Sequence, residues 1–99
     1  MKMEVIGWHE LLPVYIKQQY AGKSVLVVFQ DDAEDPDEYE ALLRDLDAMG
    51  FAPPYRFRGG GYLIVEMDDF TAKELISDHK TNNIRMELFA DGECIIENY

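Results

Sequence analysis

The sequence predicts an α+β fold, and three observations carry that expectation. Helical stripes and strand-like runs alternate along the chain, the strand-like runs are short, and two of them meet across tight-turn signals rather than long crossovers. Trp8, Leu11, Leu12, Tyr15 and Ile16 recur at i, i+3, i+4, i+7 and i+8, a helical stripe with Gly22 as a stop just beyond it. Pro13 fits only the first turn of a helix, so this helix starts near Leu12 or kinks there. SVLVVFQ, residues 24–30, is apolar on both alternating faces and reads as a central strand covered on both sides.

The second helix is the most clearly punctuated element. Asp35 stands as N-cap, Pro36 as the first helical residue and Glu38 as the partner in a capping box. Tyr39, Leu42, Leu43, Leu46 and Met49 form its buried stripe, and Gly50 terminates it. After Pro53-Pro54, YRFRGGGYLIVEM reads as two short strands around a glycine turn, with Leu63, Val65 and Met67 on one face. Thr71 and Glu74 form a second capping box, with Phe70 and Leu75 as its hydrophobic staple, and this third helix ends by Asn82-Asn83. IRMELFA turns Ile84, Met86 and Leu88 inward, and ECIIENY returns after the hairpin signal Asp91-Gly92. The order is α-β-α-β-β-α-β-β. Its middle is the β-α-β-β-α-β arrangement of ferredoxin-like folds, with an extra N-terminal helix and an extra C-terminal strand.

Ninety-nine residues, 47% apolar and 29% charged, are sized for one globular domain spanning residues 1–99. Twenty Asp and Glu against nine Lys and Arg leave a net charge of −11. Such a surface repels nucleic acid and anionic lipid and favours basic partners, so neither direct nucleic-acid binding nor membrane binding is expected. The single cysteine, Cys94, cannot close an intramolecular disulfide, and it falls in a strand pattern where a small buried thiol is the usual occupant. The first twenty residues lack the apolar run of a signal peptide, so the expected location is cytoplasmic.

Several chemical motifs are excluded by position. GKS at Gly22–Ser24 precedes a strand where a phosphate-binding loop would follow one. Calcium-loop frames starting at Asp31, Asp32 or Asp35 place Ala33, Pro36 or Tyr39 where a ligand is required. Neither His9 nor His79 has a nucleophile beside it with an acid behind, and His79 reads as a packed helix end. No enzyme, cofactor or metal is therefore expected. RGGGYLIV at 58–65 resembles the RNP1 motif of RNA-recognition domains through Arg58, Gly59, Gly61, Tyr62 and Leu63, but Gly60 and Val65 replace two of its rings.

Between Asp31 and Asp47 the chain holds nine carboxylates and one arginine. Asp35 and Glu38 are helix punctuation, and Glu40 can pair with Arg44 one turn on. The candidate partner-binding residues are Asp31, Asp32, Glu34, Asp37, Glu40, Asp45 and Asp47. Carboxylates one helical turn apart, about 5.4 Å, suit a groove built for phosphates. In charge and size alone, the chain resembles the small acidic DNA-mimic inhibitors that phages make against restriction, repair or CRISPR machinery. That resemblance implies a non-enzymatic protein that binds a basic, nucleic-acid-binding protein and blocks or regulates it. Two other readings stand beside it. One is a small-ligand or RNA-binding module using Arg56, Arg58 and Tyr62 at the glycine turn; the other is an acidic subunit that pairs as a homodimer through exposed strand edges.

Overall fold

In the computed structural model, which describes residues 3–29, 36–52, 61–79 and 84–97 (the backbone alone for 36–38), five strands form one antiparallel sheet. Strand β1 is Met3–Gly7, β2 Ser24–Phe29, β3 Gly61–Glu66, β4 Arg85–Ala90 and β5 Glu93–Glu97, and their order across the sheet is β1-β3-β2-β4-β5. Strand β2 lies at the centre with Val25 to Val28 wholly buried, as its two-sided apolar pattern predicts. Val25 and Val27 join Tyr62, Ile64 and Phe89 beneath helix α1 (Leu12–Gln19), which contributes Leu12 and Ile16, with Tyr20 just past its end. Leu26 and Val28 join Leu63, Val65, Met86 and Leu88 on the other face. There α2 (Pro36–Ala48) and α3 (Asp69–Asp78) cover them with Leu42, Leu43, Leu46, Ala72 and Leu75.

This three-layer arrangement follows from strand direction. β1 and β2 run parallel with β3 between them, and β3 and β4 run parallel with β2 between them, but the two pairs point in opposite directions. Both pairs step the same way across the sheet. A right-handed crossover then places α1 on one face and α3 on the opposite face, where the two core clusters put them.

The ferredoxin-like order is not the one observed. The protein is α+β, but its first element is β1, a strand that the helical stripe of the N-terminal segment obscures. β1 takes the outer edge of β3, the place a ferredoxin-like order would give to a strand from YRFR; residues 55–58 lie outside the described residues. Gly61 pairs with Gly7 inside the sheet, and a Cβ on it would collide with the Ile6 carbonyl oxygen. Gly61 is thus needed for the close approach of β1, not for a turn.

Two of the marks on α2 hold, Pro36 and Gly50, whereas Asp35 lies outside the described residues and of Glu38 the backbone alone is described. The helix begins at Pro36, and Gly50 closes it at φ 96°. The Phe51 N–H bonds to the Leu46 carbonyl at 3.1 Å and the Gly50 N–H to that of Asp47 at 3.0 Å, a Schellman motif with Phe51 buried beneath the helix end. Met49 is exposed, so the stripe stops at Leu46. Three expectations are corrected here. Helix α1 starts at Leu12, as Pro13 requires, and leaves Trp8 and Leu11 exposed. Helix α3 is capped by Asp68, whose Oδ1 accepts the Thr71 N–H at 2.7 Å; Thr71 is a helical residue, and exposed Phe70 forms no staple. The bonds to Thr71 hold the Asp68 carboxyl below its ordinary range. Third, Cys94 is exposed on the edge strand β5. The Asp91-Gly92 hairpin forms as its sequence predicts, with φ of 50° and 81°, and completes the sheet with β5. Among the described residues no helix is long and apolar enough to cross a membrane.

Candidate functional site

The acidic candidates divide when placed on the structure. Asp31, Asp32 and Glu34 lie outside the described residues, and Asp37 falls in the first turn of α2, where the backbone alone is described. Glu40 is exposed one turn before Arg44, at 3.7 Å, a surface pair of small energetic weight. Asp47 is exposed at the end of the same helix. Asp45 has a different role. Its Oδ2 lies 2.7 Å from Nε2 of His79, which is buried at the C-cap of α3, so the pair ties α2 to α3. Sequence reasoning counted Asp45 with the surplus acids because its partner is 34 positions away. The one usable signal was the histidine, because a packed polar ring at a helix end needs a partner.

A second constellation lies where α1 leaves the sheet uncovered. Tyr62, Phe29 and Arg85 are cross-strand neighbours on β3, β2 and β4, and all three face the α1 side. The Arg85 guanidinium stands over the Phe29 ring at 4.1 Å, and Phe29 meets Tyr62 edge to face at 5.1 Å. The Tyr62 hydroxyl donates to the His9 carbonyl at 3.3 Å, which holds the segment between β1 and α1 over this end of the sheet. Trp8 stands at the rim, 66% exposed. One row further in is Glu87, buried, with Oε1 3.4 Å from Arg85 Nη2. Together with α1 these residues enclose a cleft of about 390 Å³. Of the glycine-turn candidates only Tyr62 is placed here; Arg56 and Arg58 lie outside the described residues. Tyr62 is buried in the cleft wall, whereas base stacking on an RNP1-type sheet needs its ring on an open face.

A third group straddles β4 and β5. Glu87 is directly opposite Glu97, and a register shift after Leu88 brings Cys94 to the same face. The Cys94 thiol points at Glu87 Oε2 and Glu97 Oε1, at 3.5 and 3.7 Å. These three residues place ligand-type atoms within 4.8 Å of one another, so they are the described residues best able to hold a cation. Although Cys94 is exposed as a residue, its sulfur is partly desolvated against β4, and this, then the neighbouring Glu87 carboxylate, pushes the thiol up to about 12. Thiolate is the reactive form, so alkylation of Cys94 at pH 8 is expected to run far slower than that of free cysteine. Glu97→Gln, which removes one repelling charge, should speed it. A rate matching free cysteine in the folded protein, followed by mass spectrometry with iodoacetamide, would contradict the arrangement.

No protein-family model matches this chain, and no curated protein or solved structure is detectably similar to it.

Proposed function

We propose that this chain is a non-enzymatic interaction domain that binds a basic, nucleic-acid-binding protein and occupies the surface on which that partner holds phosphates. The observation that carries this reading is the charge of −11 together with exposed Glu40 and Asp47 on the outer face of α2. Asp37 shares their helix, and Asp31, Asp32 and Glu34 precede it closely in sequence. Asp45 leaves the set because its carboxylate is engaged with His79. A rigid helix presenting acids at turn spacing offers a partner fixed negative charges, which speed encounter and compete with a nucleic-acid backbone.

The expected result is that binding weakens steeply with salt and is abolished when Asp37, Glu40 and Asp47 are changed together to Lys. Binding to a basic protein bait is measured at two ionic strengths, with a circular-dichroism spectrum to show the triple variant folded. Unchanged affinity in the triple variant would sink the proposal. The homodimer reading is less favoured at the β5 edge, which is a poor one for pairing. It carries Glu93 and Glu97 and a register shift, devices that blunt edge-to-edge association.

A further inference from the structure

We infer that the cleft between α1 and the sheet binds a small zwitterion with an apolar body, an α-amino acid carrying an apolar side chain. The inference starts from two opposite charges held side by side. Glu87 has 8% of its side chain exposed and accepts hydrogen bonds only, whereas Arg85, 36% exposed, donates only. Their separation of 3.4 Å exceeds the roughly 2.7–2.9 Å of a tight charge-assisted bond. Both side chains make further contacts within the protein, and Arg85 is braced on Phe29, so the charges stand in fixed places.

A planar guanidinium takes a carboxylate in bidentate fashion, and a buried carboxylate takes an ammonium group. An α-amino acid presents those two groups one carbon apart. Most of the remaining lining is apolar, with Trp8, Leu12 and Pro13 on one side and Tyr62 and Phe89 on the other, and His9 and Glu10 complete it. The apolar walls suit an aliphatic or aromatic side chain. A volume of about 390 Å³ lies near the small end of the roughly 300–1,000 Å³ typical of ligand clefts, enough for one amino acid.

Charge disfavours net anions. A nucleotide or other net anion would meet Glu10 and Glu87 in the cleft and a chain of net charge −11. A simple cation would meet Arg85 beside Glu10 and Glu87, so the comparison of an amine with the amino acid decides between cation and zwitterion. A zwitterion carries no net charge and has a group for each sign. This site lies apart from the outer face of α2, and the inference does not depend on the protein-binding proposal.

The protein has a single tryptophan, and it stands at the rim of this cleft, so its emission reports occupancy directly. Titration of the wild-type chain with L-leucine and L-phenylalanine is expected to give a saturable change in Trp8 fluorescence. Phenethylamine and 3-phenylpropanoate, each lacking one charge, should bind at least tenfold more weakly, about 1.4 kcal/mol. Glu87→Gln, which preserves shape, and Arg85→Lys, which keeps the charge but loses the planar fork, should each weaken L-phenylalanine about tenfold or more, with unfolding midpoints measured to show that both variants fold. The inference is overturned if neither amino acid produces a saturable change in fluorescence or in amide chemical shifts up to about 10 mM, a range that would detect millimolar binding. Equal binding of phenethylamine and L-phenylalanine would also overturn it, as would unchanged affinity in both folded variants.

Discussion

Gly61→Ala is expected to detach the first strand from the sheet. A Cβ at this position collides with the carbonyl oxygen of Ile6, and the carbonyl carbon of Ile6 and Cα of Gly7 lie 3.4 Å away. All three atoms are backbone, so no rotamer change can relieve the clash; β1 must move as a whole. Overpacking of this kind costs about 1–3 kcal/mol, and loss of the five β1–β3 pairs from Met3–Val65 to Gly7–Gly61 adds to it. The control lies directly opposite. Gly7 has nothing within 4 Å of its Cβ position, so Gly7→Ala should be tolerated in the same row of the sheet. Urea unfolding should show a lowered midpoint for Gly61→Ala alone. Hydrogen exchange should show protection lost first at Val5 and its neighbours while β2 and β4 keep theirs. Equal behaviour of the two variants would mean that β1 does not pack as described.

The second large effect is expected at the centre. Leu26→Ala in β2 removes a fully buried side chain from the larger core cluster, between the sheet and the two-helix layer. Leu→Ala changes at such sites cost about 2–5 kcal/mol, through lost transfer energy and the cavity left behind. At roughly 4–8 °C per kcal/mol for a domain of this size, the melting temperature should fall by about 8 °C or more. Val5→Ala on the edge strand, where the side chain is already exposed, should cost well under half as much. Calorimetry on the three proteins checks the ranking, and a Leu26→Ala protein that melts with the wild type would contradict the central position of β2.

The parts of the fold legible in the sequence are those whose cause is local. Pro36 and Gly50 bound α2 because one residue's dihedral range decides each end, and Asp91-Gly92 marks its hairpin for the same reason. Leu63, Val65 and Met67 lie on one buried face, as alternation predicts. The misses share a different cause. Thr71 and Glu74 satisfy a capping pattern, but Asp68, a stronger N-cap type, lies three residues earlier and wins the helix start. Trp8 and Leu11 fit a helical stripe by spacing, yet Pro13 confines the helix to the residues from Leu12 onward. β1 is five residues long and takes its meaning from a partner in another part of the chain. Without that strand, the ferredoxin-like order was the natural reading of what remained.

The candidate sites follow the same rule. Glu40 and Asp47 are exposed on α2 because helix periodicity puts them opposite its apolar stripe. Asp45 could not be sorted from them without knowing that α3 lies alongside. The cleft was legible only through Tyr62. Its other determinants, Phe29, Arg85 and Glu87, meet through the register of three strands, and that register is a property of the assembled sheet.

The position of β1 also bears on how the chain acquires its structure. Met3 pairs with Val65, and Ser24 pairs with Ala90, so the first two strands wait for residues far along the chain. Among the described strands only β4 and β5 are joined by a tight turn. During synthesis β1 and the inner face of α1 emerge before their partner strand β3, and β2 stays open on one side until β4 has been made. Closing such long loops must precede the reward of pairing, which slows folding and leaves apolar strands open in the interval. A carboxylate-rich chain of net charge −11 repels its own copies through that interval, so the same acids would also act before the native state exists, as protection against aggregation of the unfinished sheet.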